Sequence, residues 1–312
     1  MPGTEIIDMH FHLCRDTQQE KVVFPKKGWP DDWFYGSPDT VIPFMDAHGI
    51  SYIATMNVMV TNAMIEARVR RAREQGATEE AIAQARIDLK EYMKQRVRQM
   101  NDWTLEAQKK EPRIIVYAAI DPVLFGDETM DELERCIAMG AQGIKIHPSN
   151  YRHYPDYPTM MQVYERLQSA GLGALTDTSS RQSPDGNAYG VPLGWRPVLQ
   201  AFPHLKLIQA HLAGDMWDDQ IDLAREFPDN LWFDIAGGWV DDHHPPSGHA
   251  GMLASQAVRV LRKIGIERVM HGSDGPPLDP MSAAEQIMRM DFTDAEKEQL
   301  LSGNAKQFFG LK

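Results

Sequence analysis
The sequence predicts an α/β fold: a (β/α)8 barrel with a helical insertion after the second strand. Three observations carry that expectation. Eight short apolar runs alternate with helical stretches, and no run meets the next through an obvious hairpin turn. Such alternation implies parallel pairing, because each strand needs a crossover helix to reach the next. Polar residues recur at the C-terminal ends of these runs, where a parallel barrel assembles its active site. No G-x-G-x-x-G or P-loop follows any strand, which argues against the runner-up, a doubly wound nucleotide-binding sheet.

The first strand, Glu5-Ile6-Ile7, runs into Asp8-Met9-His10-Phe11-His12. Alternation along a strand puts His10 and His12 on one face, with Asp8 below them. Two imidazoles on one rigid strand can hold a divalent metal; a pair that only packs is the plainer alternative. Residues 13–40 form a long connection rich in proline, lysine and aromatics, including Trp29, Trp33 and Phe34. Loops of that length are often lids, so it is expected over the mouth and against substrate.

A helix over 39–48 ends at Gly49, and residues 50–58 read as the second strand. The stretch 62–110 is helical and charged; Gly76 interrupts it, and Thr78-Glu79-Glu80 restarts it as a cap followed by acids. We therefore expect residues 59–111 to be an inserted helical hairpin used for self-association, with residues 1–312 a single barrel domain. The third strand is 114–120. A helix over 131–139 ends at Gly140, and Gly143-Ile144-Lys145-Ile146-His147-Pro148 is the fourth strand. A helix over 159–170 leads to the fifth, Gly173-Ala174-Leu175-Thr176-Asp177-Thr178. Residues 195–201 are helical, and the sixth and seventh strands are 206–211 and 231–235. A helix over 250–264 precedes the eighth, 268–274, and Thr293-Asp294-Ala295-Glu296 is a capping box for the closing helix.

The chain has 312 residues, 43% hydrophobic and 24% charged, enough for one large core. Its formal net charge of -12 excludes a basic footprint for nucleic acid or an acidic membrane. Two distant cysteines, Cys14 and Cys136, give neither a disulfide framework nor a zinc ribbon. No apolar run is long enough to span a membrane and no signal-peptide pattern opens the chain, so a cytoplasmic protein is expected.

The polar strand ends form the candidate site. His10 and His12 end the first strand, Lys145 and His147 the fourth, Asp177 the fifth, His211 the sixth and Asp274 the eighth. Converging buried polar groups need a partner, and a bound divalent cation supplies one. Each residue singly is also explained by an ion pair or a supporting hydrogen bond.

His-x-His, Gly-Ile-Lys-Ile-His-Pro, Ala-His-Leu-Ala-Gly, Gly-Ser-Asp-Gly-Pro and the closing Gly-Asn-Ala-Lys-Gln-Phe-Phe-Gly-Leu occur in that order. Together they resemble the amidohydrolase superfamily, and within it the branch that includes aminocarboxymuconate-semialdehyde decarboxylase and several aromatic-acid decarboxylases, hydratases and carbon–carbon hydrolases. The resemblance implies a distorted (β/α)8 barrel with one divalent metal, zinc or alternatively manganese. By position it implies metal ligation by His10, His12 and Asp274, and action of His211 on substrate or metal-bound water. The branch usually carries histidine where this chain has Asp177. A carboxylate there can complete the ligand set and would weaken the metal as a Lewis acid; loss of the metal is the other reading.

Metal-dependent hydrolysis is the first functional expectation: Asp274 takes a proton from activated water, and His211 polarises the carbonyl of an ester, lactone or C–C bond. Metal-dependent decarboxylation is the second, and a metal-free lactonase or ligand-binding barrel the third. The substrate is expected to be a small molecule, planar or carboxylated. Its candidate contacts are Lys145, His147, Arg15 and Trp29, with Lys26, Lys27, Arg152, Arg181, Tyr151 and Tyr154 as further loop candidates. His243, His244 and His249 read as supporting loop groups, with a substrate contact as the alternative.

Overall fold
The computed structural model describes residues 4–28, 30–183, 185–214, 216–237, 239–240 and 252–312. β1 (Ile6–Phe11) is followed by α1 (Thr17–Val23), α2 (Pro38–His48) and β2 (Ile50–Met56). Then come α3 (Thr61–Glu74), α4 (Glu79–Lys110), β3 (Ile114–Ala119), α5 (Pro122–Phe125) and α6 (Thr129–Ala138). β4 (Gly143–Ile146), α7 (Pro148–Tyr151), α8 (Pro158–Ala170), β5 (Gly173–Thr176) and α9 (Arg196–Ala201) follow. Next are β6 (Lys206–Gln209), α10 (Trp217–Glu226), β7 (Leu231–Asp234), and the short pair β8 (Trp239–Val240) and β9 (Met252–Leu253). α11 (Ala254–Ile264), β10 (Val269–Met270), α12 (Pro280–Arg289), α13 (Asp294–Glu298) and α14 (Asn304–Phe309) complete the chain.

Eight strands pair in parallel in the order β1-β2-β3-β4-β5-β6-β7-β10. The ring closes between the last and first members: Met9 N–H donates to the His271 carbonyl at 3.0 Å, and His12 N–H to that of Gly275 at 2.7 Å. This is a TIM barrel, as the alternation predicts. Every residue of β1, β3, β4 and β5 is buried, which is why these strands read as nearly continuous apolar runs.

Two apolar shells meet at the strands. The outer one packs strands against helices, through Leu133, Val163, Leu167 and Leu261 among others. The inner one fills the barrel with Met9, Met56, Leu175 and Ile208, and α14 adds Ala305 and Phe308. Tyr117 crosses this interior. A Cβ on Gly143 would lie 2.5 Å from the Tyr117 ring, and one on Gly173 2.4 Å from its hydroxyl. Glycine opens β4 and β5 because nothing larger fits beside that side chain.

α3 and the first half of α4 pack on each other through Ile65, Val69 and Ile82, and Thr78 caps α4 by accepting from Ala81 N–H. The second half of α4 is the crossover helix itself: Asn101 hydrogen-bonds both backbone groups of Ala119 on β3. Among the described residues α1, α5, α7, α10 and α12 lie outside the sequence expectation. α12 carried a legible signal, an Asp279 cap with Pro280 at the first helical position. Among the described residues no helix is long and apolar enough to cross a membrane.

The 13–40 connection departs from its expectation. It contains a helix, α1, capped by Asp16 accepting from Gln19 N–H. Buried Glu20 takes the Lys26 ammonium at 3.3 Å and the Gly36 N–H at 2.8 Å. The Lys26 ammonium also lies 4.2 Å from the Tyr35 ring centroid. These groups satisfy one another. Trp33 and Tyr35 line a flank groove with Thr4, Glu5 and Gly49, which lie at the N-terminal ends of β1 and β2.

Candidate metal centre
The first strand does not alternate strictly. Asp8 pairs with Ile53 and Phe11 with Thr55, so three steps on β1 oppose two on β2. That is a β-bulge. Ile7 and Met9 belong to the inner shell, whereas Ile6 and Phe11 belong to the outer one. The facing therefore switches once, between Met9 and Phe11. Asp8 consequently does not lie beneath the histidines as strict alternation predicts. It reaches the β1–β10 seam, accepting from Ser273 Oγ at 2.5 Å, Ser273 N–H at 2.9 Å and His10 N–H at 3.2 Å. Burial pushes its carboxyl up to about 7.

The bulge delivers His10 and His12 to the barrel mouth. His10 Nδ1 lies 2.8 Å from Asp234 Oδ2, His12 Nδ1 2.8 Å from the Met56 carbonyl, and His211 Nδ1 2.6 Å from the Ala236 carbonyl. A carbonyl can only accept, so His12 and His211 each carry a proton on Nδ1. Each ring, when neutral, then offers its Nε2 lone pair. This is how protein histidines are prepared for metals.

Asp274 completes the nearest set. Its Oδ1 lies 3.0 Å from His12 Nε2 and 3.7 Å from His10 Nε2. One atom from each of His10, His12 and Asp274 falls within 4.8 Å of the others, a spacing that can close around one ion. The donors, two imidazoles and a carboxylate, fit a divalent cation with open positions for substrate or water. Burial works to raise the Asp274 pKa, but the His12 hydrogen bond and the surrounding imidazoles hold it well below the usual carboxylate range. Burial lowers His10 to about 3, so its ring is neutral.

Backbone conformation adds to the placement. Asp274 has φ 61°, and His211, Leu212 and Ala213 have φ 62°, 46° and 53°. L-residues adopt this left-handed region at a cost of roughly 1 kcal/mol or more each. The His211 turn is held by its N–H to Asp234 Oδ1 at 2.9 Å and by Gly214 N–H to the His211 carbonyl at 3.0 Å. Gly272 lets the β10 end approach β1, because a Cβ there would lie 2.7 Å from that of His10.

The cavity beside this set has a volume of about 430 Å3. Its walls include His12, Lys145, His147, Asp177, His211 and Asp274, which were expected, and Val58, Ser179, Ser180 and Gly214, which were not. Asp177 lies 3.5 Å from His211 Nε2 and 4.0 Å from His147 Nδ1, and accepts from Ser179 Oγ at 3.0 Å. Burial opposes its ionisation, yet His147, His211 and Lys145 together keep it ionised well below the ordinary range. The Lys145 ammonium is buried 3.2 Å from His10 Nε2. Burial lowers its pKa against the pull of Asp177, Asp234 and Asp274. Burial also lowers the pKa of His147, whose Nδ1 has no hydrogen-bond partner among the described residues.

Other candidates fall elsewhere. The Arg15 side chain is 68% exposed, bonds Asp16 and does not line the cavity, so the structure gives its substrate role no support. Lys26 is consumed by Glu20. Trp29 and the 241–249 segment with its histidines lie outside the described residues. Asp234 was missed. Its signal was its place at the end of the seventh strand, the position that marked Asp177 and His211.

A curated 2-amino-3-carboxymuconate-6-semialdehyde decarboxylase from Dictyostelium discoideum is 24% identical over 260 residues, 72% of this chain and 67% of that one. Among solved structures, 2,6-dihydroxybenzoate decarboxylase from Rhizobium has a TM-score of 0.66 at 16% identity, covering 100% of this chain and 99% of that one. A dihydroxybenzoic acid decarboxylase from Polaromonas sp. JS666, with bound manganese and the inhibitor 2-nitroresorcinol, has a TM-score of 0.65 at 18% identity, covering 100% and 98%. These structural likenesses concern the fold. The family model described as Amidohydrolase matches residues 7–311, nearly the whole chain, and the protein belongs to that enzyme family.

Proposed function
We propose that the protein removes carbon dioxide from a small aromatic or unsaturated carboxylic acid, with one divalent cation held by His10, His12 and Asp274. The observation that carries this reading is the convergence of two Nε2 atoms and a carboxylate beside a small polar cavity. The curated relative's activity supports decarboxylation over the hydrolysis that led the sequence reading. Asp177 on the facing wall is proposed as a further ligand. A second carboxylate favours manganese more than an all-imidazole set would, and the Polaromonas neighbour carries manganese.

When bound, the cation would anchor substrate oxygens and draw electron density from the carbon that loses carbon dioxide. The chain supplies the rest. Lys145 is a donor for an anionic substrate, and His147 lines the same cavity. Asp177 stabilises a proton on His211 Nε2. That proton passes to the carbon bearing the carboxylate, and the bond to the carboxylate breaks. The bond's electron pair stays with the carbon skeleton, and carbon dioxide departs.

Lys145 favours a second reading. Its ammonium beside His10 already offsets carboxylate charge, and it can polarise a lactone carbonyl without a metal. The test is product analysis. Protein loaded with manganese or zinc is given hydroxybenzoates, unsaturated acids, aryl esters and lactones, with gas and acid products measured. Carbon dioxide release that chelation abolishes is the expected outcome. Lactone opening that survives chelation, without carbon dioxide, selects the second reading.

A further inference from the structure
Asp234 ends β7 with no exposed surface. Its oxygens divide their work. Oδ2 lies 2.8 Å from His10 Nδ1. Oδ1 accepts the His211 N–H at 2.9 Å and the Ala236 N–H at 3.0 Å. On the opposite edge of the His10 ring, Lys145 Nζ lies 3.2 Å from Nε2. An ammonium can only donate, so Nε2 presents a lone pair and the ring proton sits on Nδ1. Asp234 receives that proton. The two neighbours dictate the same tautomer from opposite sides.

We propose that Asp234 is a positioning residue: it fixes the His10 tautomer and, with the same carboxylate, ties that ring to the left-handed turn presenting His211. The functional consequence rests on the metal reading above. The rival role, direct ligation by Asp234 with His10 and His211, is sterically available, since these three also cluster within 4.8 Å. It would require a cation to expel three N–H groups already bonded to this carboxylate, inside a fully buried pocket. The hydrogen-bonded arrangement needs no such exchange.

The carboxylate matters because it accepts at both ends. An asparagine there has one acceptor end. Its oxygen is held by two backbone N–H groups, which turns the amide NH2 toward His10 Nδ1. Two donors cannot face each other, so the His10 proton moves to Nε2, and the Lys145 amine on that side must turn away or give up a proton to accept from it. The lone pair then points away from the metal set, and an N–H points into it.

The experiment uses 15N-labelled full-length protein, stripped of metal, as wild type and Asp234→Asn. The His10 ring signals are identified by their loss in His10→Gln. Expected are a protonated Nδ1 in the wild type and a protonated Nε2 in Asp234→Asn. Titration with Mn2+ and Zn2+ should show binding weakened about 10–100-fold in the variant. A wild-type ring protonated at Nε2, or a variant with wild-type metal affinity, overturns the proposal. If the variant does not fold, the wild-type ring alone decides, since only Nδ1 protonation is compatible. A wild type with the expected tautomer that binds neither metal upholds the role of Asp234 and removes the metal reading instead.

Discussion

Replacing Asp8 with asparagine should free the fold from a pH dependence that is built into the barrel seam. Asp8 is fully buried, and burial raises its pKa from the ordinary 3.8 to about 7. The folded state therefore keeps a proton that the unfolded state releases between these values. Where the folded state binds more protons, stability falls as pH rises. Asp8's contribution is thus fully present below about pH 4 and is lost by about pH 7. About three pH units at roughly 1.4 kcal/mol each give a loss of about 4 kcal/mol. Asparagine resembles the protonated form: Oδ1 keeps the two backbone N–H groups of His10 and Ser273, and the amide donates to Ser273 Oγ. The assay is urea unfolding of both metal-stripped proteins at pH 5.5, 7 and 8.5. Asp8→Asn should already be the more stable by about 2 kcal/mol at pH 5.5, and by about 4 kcal/mol at pH 8.5. His10 and His271 act in both proteins, so the difference isolates Asp8. A variant less stable than wild type at pH 8.5, or a difference that does not change with pH, would refute the reasoning.

Three further outcomes follow from buried groups. His271 is buried with neither ring nitrogen hydrogen-bonded among the described residues, and burial lowers its pKa to about 4. His271→Leu should therefore raise stability by about 1 kcal/mol at pH 7 and more at pH 5; a lower melting temperature at both values contradicts this. Gly173→Ala should cost about 1–3 kcal/mol, because its methyl would meet the Tyr117 hydroxyl at 2.4 Å. Adding Tyr117→Phe should recover most of that cost, and strictly additive effects in denaturant unfolding would disprove the clash. Asp177→Asn should weaken Mn2+ binding measured by calorimetry, while unchanged affinity at full occupancy removes Asp177 from the coordination shell.

The barrel was legible because most strand residues are buried, β1, β3, β4 and β5 entirely, and so announce themselves as apolar runs. Helix ends were legible where chemistry marks them, as at Thr78 and in the Thr293–Glu296 capping box. Position at strand ends also located the cavity, since Lys145, His147, Asp177, His211 and Asp274 all line it. Three features were hidden for physical reasons. The bulge in β1 is a register event between two strands, and one strand's sequence does not contain it. Asp234 looked like an ordinary strand-end acid because its partner His10 is 224 residues away. The 13–40 connection resembled a lid in length and composition. Its Lys26 and aromatics instead close on Glu20 and the barrel flank, a choice made by tertiary contacts.

The most direct test of the central claim is the metal content of the purified chain after loading with Mn2+ or Zn2+ and removal of free ion. His12 Nε2 and Asp274 Oδ1 stand 3.0 Å apart and His10 completes the set. The account predicts a single bound cation per wild-type chain, and near-complete loss in His12→Ala with the fold retained by circular dichroism. No bound cation in the wild type, or a full equivalent retained in folded His12→Ala, would contradict it.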